Sequence, residues 1–382
     1  MRYYVIAGEP SGDLHGSKLI RGIKKEDGEA EFRFTGGDRM ADVAGSDALL
    51  YHYKEMSFFG FVQVAMNLRT IFRQIDDVKA DIAKFRPDVV ILIDYPAFNL
   101  RIAKWAKANG IKVYYYIAPK VWAWKERRVK SLRRYVDRLY TIFPFETAYF
   151  RDHGIEPIFK GNPLVDDIAE RRIALPTREE FVTECRAQNP AIDIDDRPIV
   201  ALLAGSRVSE IKANLPDMVA LAREFSDYQF VVTAVPWIDK SLYDSIIGDS
   251  GVRYICDRTQ QTLALSTAAI VTSGTATLET ALMGIPEVVI YHVPWLYEKL
   301  KPYFLRIPYI SLVNINLERE SVKELVRANL KIAESSTELR AILPGGSQRE
   351  RMLRDFRELS QMIGPEGASD RFAKDIVNSL RR

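Results

Sequence analysis

In the stretch LIDYPAFN, residues 92 to 99, an aspartate leaves an apolar run and meets a proline-constrained turn, with Asn99 at the start of a helical stretch. A carboxylate at the carboxyl end of a parallel strand faces the ligand crevice of an α/β sheet. At its ordinary pKa of about 3.9 Asp94 is ionised at neutral pH, and partial burial would make it more basic. That suits a general base taking the proton of an attacking hydroxyl. The competing reading is a carboxylate that only closes its own turn.

Three further loops have the composition of anion sites. AGEPSGD, residues 7 to 13, ends one strand and opens a helix, so Gly8, Glu9, Ser11 and Gly12 could meet a sugar hydroxyl or an anion at the helix start. The same glycines would equally shape a turn capped by Ser11 or Asp13. AGSRVSEI, residues 204 to 211, offers Arg207 to a phosphate and Glu210 to orient that arginine or accept from a hydroxyl. TSGTATLE, residues 272 to 279, brings Ser273, Gly274 and Thr275 to a helix start and places Glu279 about one turn later, where ribose hydroxyls would lie. The last two loops together favour a nucleotide diphosphate over simple capping.

The elements that must carry these loops are legible as alternation. YYVIAG, PDVVILID, KVYYYIA and RLYTIF are short β-branched or aromatic runs, each followed by turn residues and a helical stretch. Phe61, Val64, Leu68, Ile71, Ile75, Val78 and Ile82 recur every three or four positions, which predicts one long amphipathic helix from Phe61 to Phe85. Residues 176 to 198 read as a polar, proline-bounded linker, after which PIVALLAG, YQFVVTAV, GVRYIC, AAIVTS and PEVVIYHV repeat the strand pattern. The expectation is α/β: two doubly wound Rossmann-like domains with parallel sheets, residues 1–170 and 171–345, facing a central cleft. A helical segment, 346–382, is expected to pack back on the first domain.

Composition excludes several function classes. Lys plus Arg number 54 against 51 Asp plus Glu, a net charge of +3, so nucleic acid is not an expected partner. Cys185 and Cys256 have no zinc spacing, and the pair DID at Asp193 and Asp195 precedes a strand rather than following one, so no metal is assigned. No P-loop is present. The start of the chain lacks the apolar core of a signal peptide, and no apolar stretch approaches a membrane span, so a cytoplasmic protein with at most peripheral membrane contact is expected.

One stretch invites that contact. VWAWKERRVKSLRRY, residues 121 to 135, sets Trp122 and Trp124 before Lys125, Arg127, Arg128 and Lys130, with Val121, Val129 and Leu132 as apolar neighbours. Indole with Lys and Arg is the combination found at headgroup depth on anionic lipid. MSFFGFVQVAM (56 to 66) and WLYEKLKPYFLRIPY (295 to 309) are of the same kind. Each taken singly could be core or a solvated face; together they point to an acylated or membrane-resident substrate.

AGEPSGDLHG, IDYPAFN, YYIAPKVWAWKERRVK, FPFE, GNPLVDDI, AGSRVSEI, SGTATLE and YISLVN, in this order over residues 1 to about 328, closely resemble the lipid-A-disaccharide synthases. The resemblance implies an inverting glycosyltransferase of the GT-B fold. It would transfer 2,3-diacylglucosamine from UDP-2,3-diacylglucosamine to 2,3-diacylglucosamine 1-phosphate, giving a β-1,6-linked disaccharide 1-phosphate and UDP, at the cytoplasmic face of the inner membrane with its anionic lipids. It puts Asp94 on the catalytic aspartate and Arg207, Ser273, Gly274, Thr275 and Glu279 on the UDP-binding region, to which Glu210, from its place beside Arg207, and Asn314, kept from the family's pattern, are added on the donor side; no cofactor is implied, and a homodimer is compatible with it.

Three positions depart from the family's common pattern: Ala97 where aspartate is frequent, Val313 where proline is usual and Arg327 where glutamine is usual. Two rival readings share some features. A UDP-sugar 2-epimerase would use the same architecture on soluble substrates, and a non-catalytic membrane protein that binds nucleotide would leave Asp94 idle.

Overall fold

The computed structural model describes residues 1–56, 66–121, 127–172, 175–188, 194–272, 274–293 and 308–382. The chain forms two compact units, Met1–Asp166 with Ile363–Arg382, and Asp167–Met362.

The first unit runs β1 Arg2–Ala7, α1 Pro10–Glu26, β2 Glu31–Gly36, α2 Asp38–Ala44, β3 Leu49–His52, α3 Tyr53–Met56, α4 Leu68–Phe85, β4 Val89–Ile93, α5 Pro96–Ala108, β5 Lys112–Tyr116, α6 Arg127–Tyr135, β6 Arg138–Thr141, α7 Pro144–Asp152 and β7 Ile158–Phe159. The chain leaves it through α8, Pro163–Arg172. Its seven strands lie in the order β3-β2-β1-β4-β5-β6-β7, all parallel. Alternate strand residues face opposite layers, as the two-residue period requires. Tyr3, Val5, Ile91, Ile93, Tyr114 and Tyr116 pack on α1 and α2, while Tyr4, Ile6, Val90, Leu92, Val113 and Tyr115 pack on α4, α5 and α6. The long helix expected from Phe61 is described from Leu68; Phe61 and Val64 lie outside the described residues.

The second unit continues with α9 Arg178–Gln188, β8 Ile199–Leu203, α10 Val208–Ala222, β9 Gln229–Ala234, α11 Lys240–Ile247, β10 Arg253–Cys256, α12 Thr259–Ala264, β11 Ser266–Val271, α13 Thr275–Leu282, β12 Glu287–His292, α14 Leu312–Leu317, β13 Lys323–Arg327, α15 Ile332–Ile342 and α16 Arg349–Ile363. Its six parallel strands are ordered β10-β9-β8-β11-β12-β13. The stretch expected to be a polar linker holds a helix instead. Phe181 and Cys185 of α9 are buried against Ile199, Val231 and Ile255, so two apolar residues one turn apart dock an otherwise charged helix.

The C-terminal stretch divides. Helix α16 lies in the second unit, where Arg319 pairs with Asp355 at 2.9 Å, and the last helix, α17 Ala368–Arg381, returns to the first. Gly22 of α1 allows its approach, since a Cβ there would come within 2.8 Å of the Ala373 Cβ. The Asp166 carboxylate accepts from the amides of Gly367, Ala368 and Ser369, capping α17 from a distant part of the chain. Phe372 is fully buried edge-on to the rings of Tyr116 and Tyr140. Truncating such a ring to alanine costs about 3–5 kcal/mol.

Candidate active site

In a doubly wound sheet the ligand crevice opens at the carboxyl ends of the two strands where the order reverses. In the first sheet those strands are β1 and β4; in the second they are β8 and β11. The loop Gly8–Gly12 follows β1, Asp94 follows β4, the loop Gly205–Arg207 follows β8, and Gly274–Thr275 follows β11. All four sequence-selected loops therefore fall at switch points, two in each unit.

Asp94 leaves a fully buried strand in a conformation that side chains resist. Its φ is 41° and that of Tyr95 is 45°; each left-handed non-glycine residue costs roughly 1–3 kcal/mol unless its surroundings hold it. The surroundings do hold it. The Tyr115 hydroxyl and Asn99 Nδ2 both donate to the Asp94 carbonyl, and Asn99 Nδ2 also reaches the Ile93 carbonyl at 3.1 Å. Pro96 begins α5 with φ already set for a helix. Burial pushes the Asp94 carboxyl above the ordinary aspartate value, while Lys120, the Tyr95 amide and Arg128 draw it back. The product is a half-buried carboxylate that is more basic than usual yet retains cationic support. Asn99 is buried, and its Oδ1 has no hydrogen-bond partner among the described residues.

Gly8 is required by contact. A Cβ on it would stand 2.4 Å from the Tyr95 ring, so the loops after β1 and β4 touch through that missing side chain. Glu9 precedes α1; burial, and then the Glu9 charge, raises the Tyr95 hydroxyl pKa. Neither Ser11 nor Asp13 caps α1, which has no side-chain cap. The Asp13 carboxylate instead accepts from the amides of Gly37, Arg39 and Met40, fixing the start of α2.

In the second unit Gly205 has φ 115°, and a Cβ there would meet the Glu210 Cβ at 2.6 Å. That close approach lets the Glu210 carboxylate accept from the Ser206 amide at 3.0 Å and pair with Arg207 at 2.7 Å. Arg207 is largely exposed and Glu210 is not, so Glu210 anchors a cation that still faces outward. The Gly274 φ of 128° opens α13, whose first amides have no partner within the helix. Thr275 is exposed there, and Ser273 lies outside the described residues. Burial pushes the Glu279 carboxyl up, and the Gln260 amide, which donates to its Oε1, and the Arg171 charge pull it back.

Asn314 does not fit the ligand-contact role that the family resemblance implied. Its Nδ2 donates to the Val322 carbonyl and Glu324, and its Oδ1 accepts from the amides of Ser321 and Val322, so the buried amide is fully engaged in bracing α14 against β13. The basic stretch is likewise reapportioned. Val121, Val129 and Leu132, read as apolar surface, are buried in the core, since α6 sits on the same layer as Tyr115 and Phe98. Lys130 is exposed and Arg128 half-buried; Trp122, Trp124, Lys125 and the side chain of Arg127 lie outside the described residues.

Sequence reasoning passed over two groups. Lys120 acts electrostatically on Asp94 but comes 26 residues later, joined to it only by the pairing of β4 with β5. Trp237 is 68% exposed, and its indole N–H donates to the Ser206 carbonyl at 3.0 Å, standing beside the Arg207 loop. The pair Pro236–Trp237 directly after the run YQFVVTAV was the available signal. Among the described residues no three His, Cys, Asp or Glu side chains converge.

Residues 3–372 match the family described as lipid-A-disaccharide synthetase. The lipid-A-disaccharide synthase of Myxococcus xanthus is 34% identical over 385 residues, 99% of this chain and 97% of the relative, and that of Syntrophus aciditrophicus is 35% identical with the same coverage. Among solved structures, UDP-GlcNAc 2-epimerase from Neisseria meningitidis superposes with a TM-score of 0.67 at 13% identity, covering 99% of this chain and 100% of that one. Sucrose-phosphate synthase from Thermosynechococcus elongatus gives 0.60 at 14%, covering 100% and 99%. Those likenesses carry the GT-B-like fold alone; the full-length sequence matches carry the family. The chain belongs to the lipid-A-disaccharide synthase family.

Proposed function

We propose that this protein, as a lipid-A-disaccharide synthase, uses Asp94 as the base that activates the acceptor. The observation that carries this reading is the strained, buttressed and half-buried position of Asp94 at the switch point of the first sheet. The donor is UDP-2,3-diacylglucosamine and the acceptor 2,3-diacylglucosamine 1-phosphate. As the acceptor 6-hydroxyl oxygen forms its bond to donor C1, its proton passes to the Asp94 carboxylate. The bond from C1 to the diphosphate breaks on the opposite face, and UDP leaves with the electron pair. One displacement inverts C1 and yields the β-1,6 linkage.

Arg207, held by Glu210, and the first turn of α13 with Ser273, Gly274 and Thr275 receive the diphosphate, where backbone amides and a guanidinium stabilise the charge that develops on the leaving group. Glu279 accepts from ribose hydroxyls. Asn314 positions the α14 segment. Gly8, Glu9, Ser11, Gly12 and Asn99 border the acceptor. Ala97 supplies no second carboxylate, so Asp94 acts alone.

Peripheral association with anionic lipid is part of this reading; the exposed side chains of Met66, Leu68 and Phe72, with Arg69 and Arg73 next to them in sequence and Arg101 over the Phe72 ring, support it. No described helix is long and apolar enough to cross a membrane. Incubation with UDP-2,3-diacylglucosamine and the 1-phosphate acceptor, with products resolved by mass spectrometry, tests the reading. A tetraacyl disaccharide phosphate supports it, and an epimerised UDP-sugar without disaccharide refutes it.

A further inference from the structure

Two cations stand at the base without anionic partners of their own. The register that pairs Ile93 with Tyr116 puts Asp94 level with Ile117, three residues before Lys120. The intervening segment is fixed: Ala118 donates its amide to the Tyr140 carbonyl, Val121 donates to that of Pro119, and Ile117 through Pro119 and Val121 are buried. Arg128 comes from α6, a helix locked by Val129 and Leu132 into the apolar cluster that holds Tyr115. Among the described residues neither cation forms an ion pair or a hydrogen bond, yet Arg128 is half-buried. A partly desolvated guanidinium with no partner is costly unless an anion completes it. Asp94 is the carboxylate they act on, and one negative charge does not balance two positive ones.

We infer that Lys120 and Arg128 form a phosphate subsite beside Asp94 that receives the acceptor's 1-phosphate and thereby sets its 6-hydroxyl against the base. The inference rests on Asp94 as base. The chemistry of the sugar supplies the geometry. C1 and C5 are both bonded to the ring oxygen, so the 1-phosphate and the 6-hydroxymethyl occupy the same edge of the pyranose. A fork that grips the phosphate next to Asp94 leaves the hydroxyl within reach of that carboxylate. The planar, five-donor guanidinium of Arg128 suits a phosphate monoester, and Lys120, exposed in the segment after β5, adds a second charge on a flexible stem.

The test compares acceptors with and without the 1-phosphate, in wild type and in Lys120→Gln, Arg128→Gln and Arg128→Lys. The ratio of kcat/KM for the two acceptors is expected to fall roughly tenfold to a hundredfold in each Gln variant, the range for losing a hydrogen bond to a charged group, and less in Arg128→Lys. UDP affinity and binding to anionic vesicles, measured alongside, should stay near wild type. An unchanged ratio with equal loss on both acceptors would overturn the inference. Weakened UDP binding would reassign the pair to the donor diphosphate, and weakened vesicle binding would reassign it to lipid headgroups; either result also overturns it. Lys120 is exposed, so its variant reports even where Arg128→Gln impairs folding. Turnover by Asp94→Asn would instead defeat the base assignment and leave the acceptor ratio interpretable.

Discussion

The Tyr115 hydroxyl donates to the main-chain carbonyl of Asp94, bridging β5 to the first residue after β4. That bond, with the Asn99 amide, holds an aspartate in a left-handed conformation that its own backbone disfavours. Tyr115 is fully buried, which keeps its hydroxyl protonated and therefore a donor. Tyr115→Phe keeps the ring and removes the bond. It is expected to lower kcat by roughly tenfold through misplacement of the base, with UDP affinity unchanged by titration calorimetry. An unaltered kcat would mean that Pro96 and Asn99 suffice to position Asp94.

On the nucleotide side, Arg207→Ala should weaken UDP binding roughly tenfold or more, the scale for a lost bond to a charged group. Glu210→Gln should weaken it less, because the amide still accepts from the Ser206 amide while releasing the arginine. Trp237 gives an optical readout. Its exposed indole, tethered to Ser206, should change fluorescence when UDP occupies the Arg207 loop, and a signal equally present in Trp237→Phe would place the nucleotide elsewhere.

How far these sites were legible follows from what kind of fact each one is. The run VVILI just before Asp94 was readable because a strand buried on both faces must be continuously apolar. That β4 neighbours β1, and so brings Asp94 beside Gly8, is a pairing across more than eighty residues that periodicity does not encode. The strands β2, β3, β7 and β13 escaped notice because they are short or interrupted by charge, as in EFRFTG and KELVR. Val129 and Leu132 looked interfacial because their spacing is amphipathic, and amphipathic spacing fits a core-facing helix as well as a membrane-facing one. Asn314 entered the donor region through the family resemblance alone, and the groups that engage its side chain, at Ser321, Val322 and Glu324, lie across a turn that the sequence does not show to be closed.

Membrane contact is expected to run through α4. Replacing Met66, Leu68 and Phe72 together with Ser removes exposed apolar area and none of the buried core residues, so sedimentation with anionic vesicles should fall by far more than the unfolding midpoint. Changing Lys130, Arg133 and Arg134 to Gln should lower binding only at low salt, as surface charges act. Undiminished sedimentation of both variants would exclude these surfaces.

Glu287 makes a pH-dependent demand on the second unit. Both its oxygens are buried without a hydrogen-bond partner among the described residues, and burial, then the Glu324 charge, pushes its pKa well above the ordinary glutamate value. Folded, the group stays protonated; unfolded, it ionises near 4.5. Its contribution to stability is therefore fully present below pH 4.5 and is lost as pH rises toward the folded value. Glu287→Gln, neutral at all pH, should be more stable than wild type at pH 8 and lose that advantage near pH 4. A stability difference independent of pH would show that Glu287 is ionised in the fold.

The central claim is that Asp94 is the base, and the most direct measurement is disaccharide formation by Asp94→Asn beside wild type, with UDP binding measured on the same preparations. The account predicts kcat lower by roughly a hundredfold to ten-thousandfold, as loss of a general base requires, with UDP affinity within about twofold. Turnover within tenfold of wild type, or a parallel collapse of UDP binding, would contradict it.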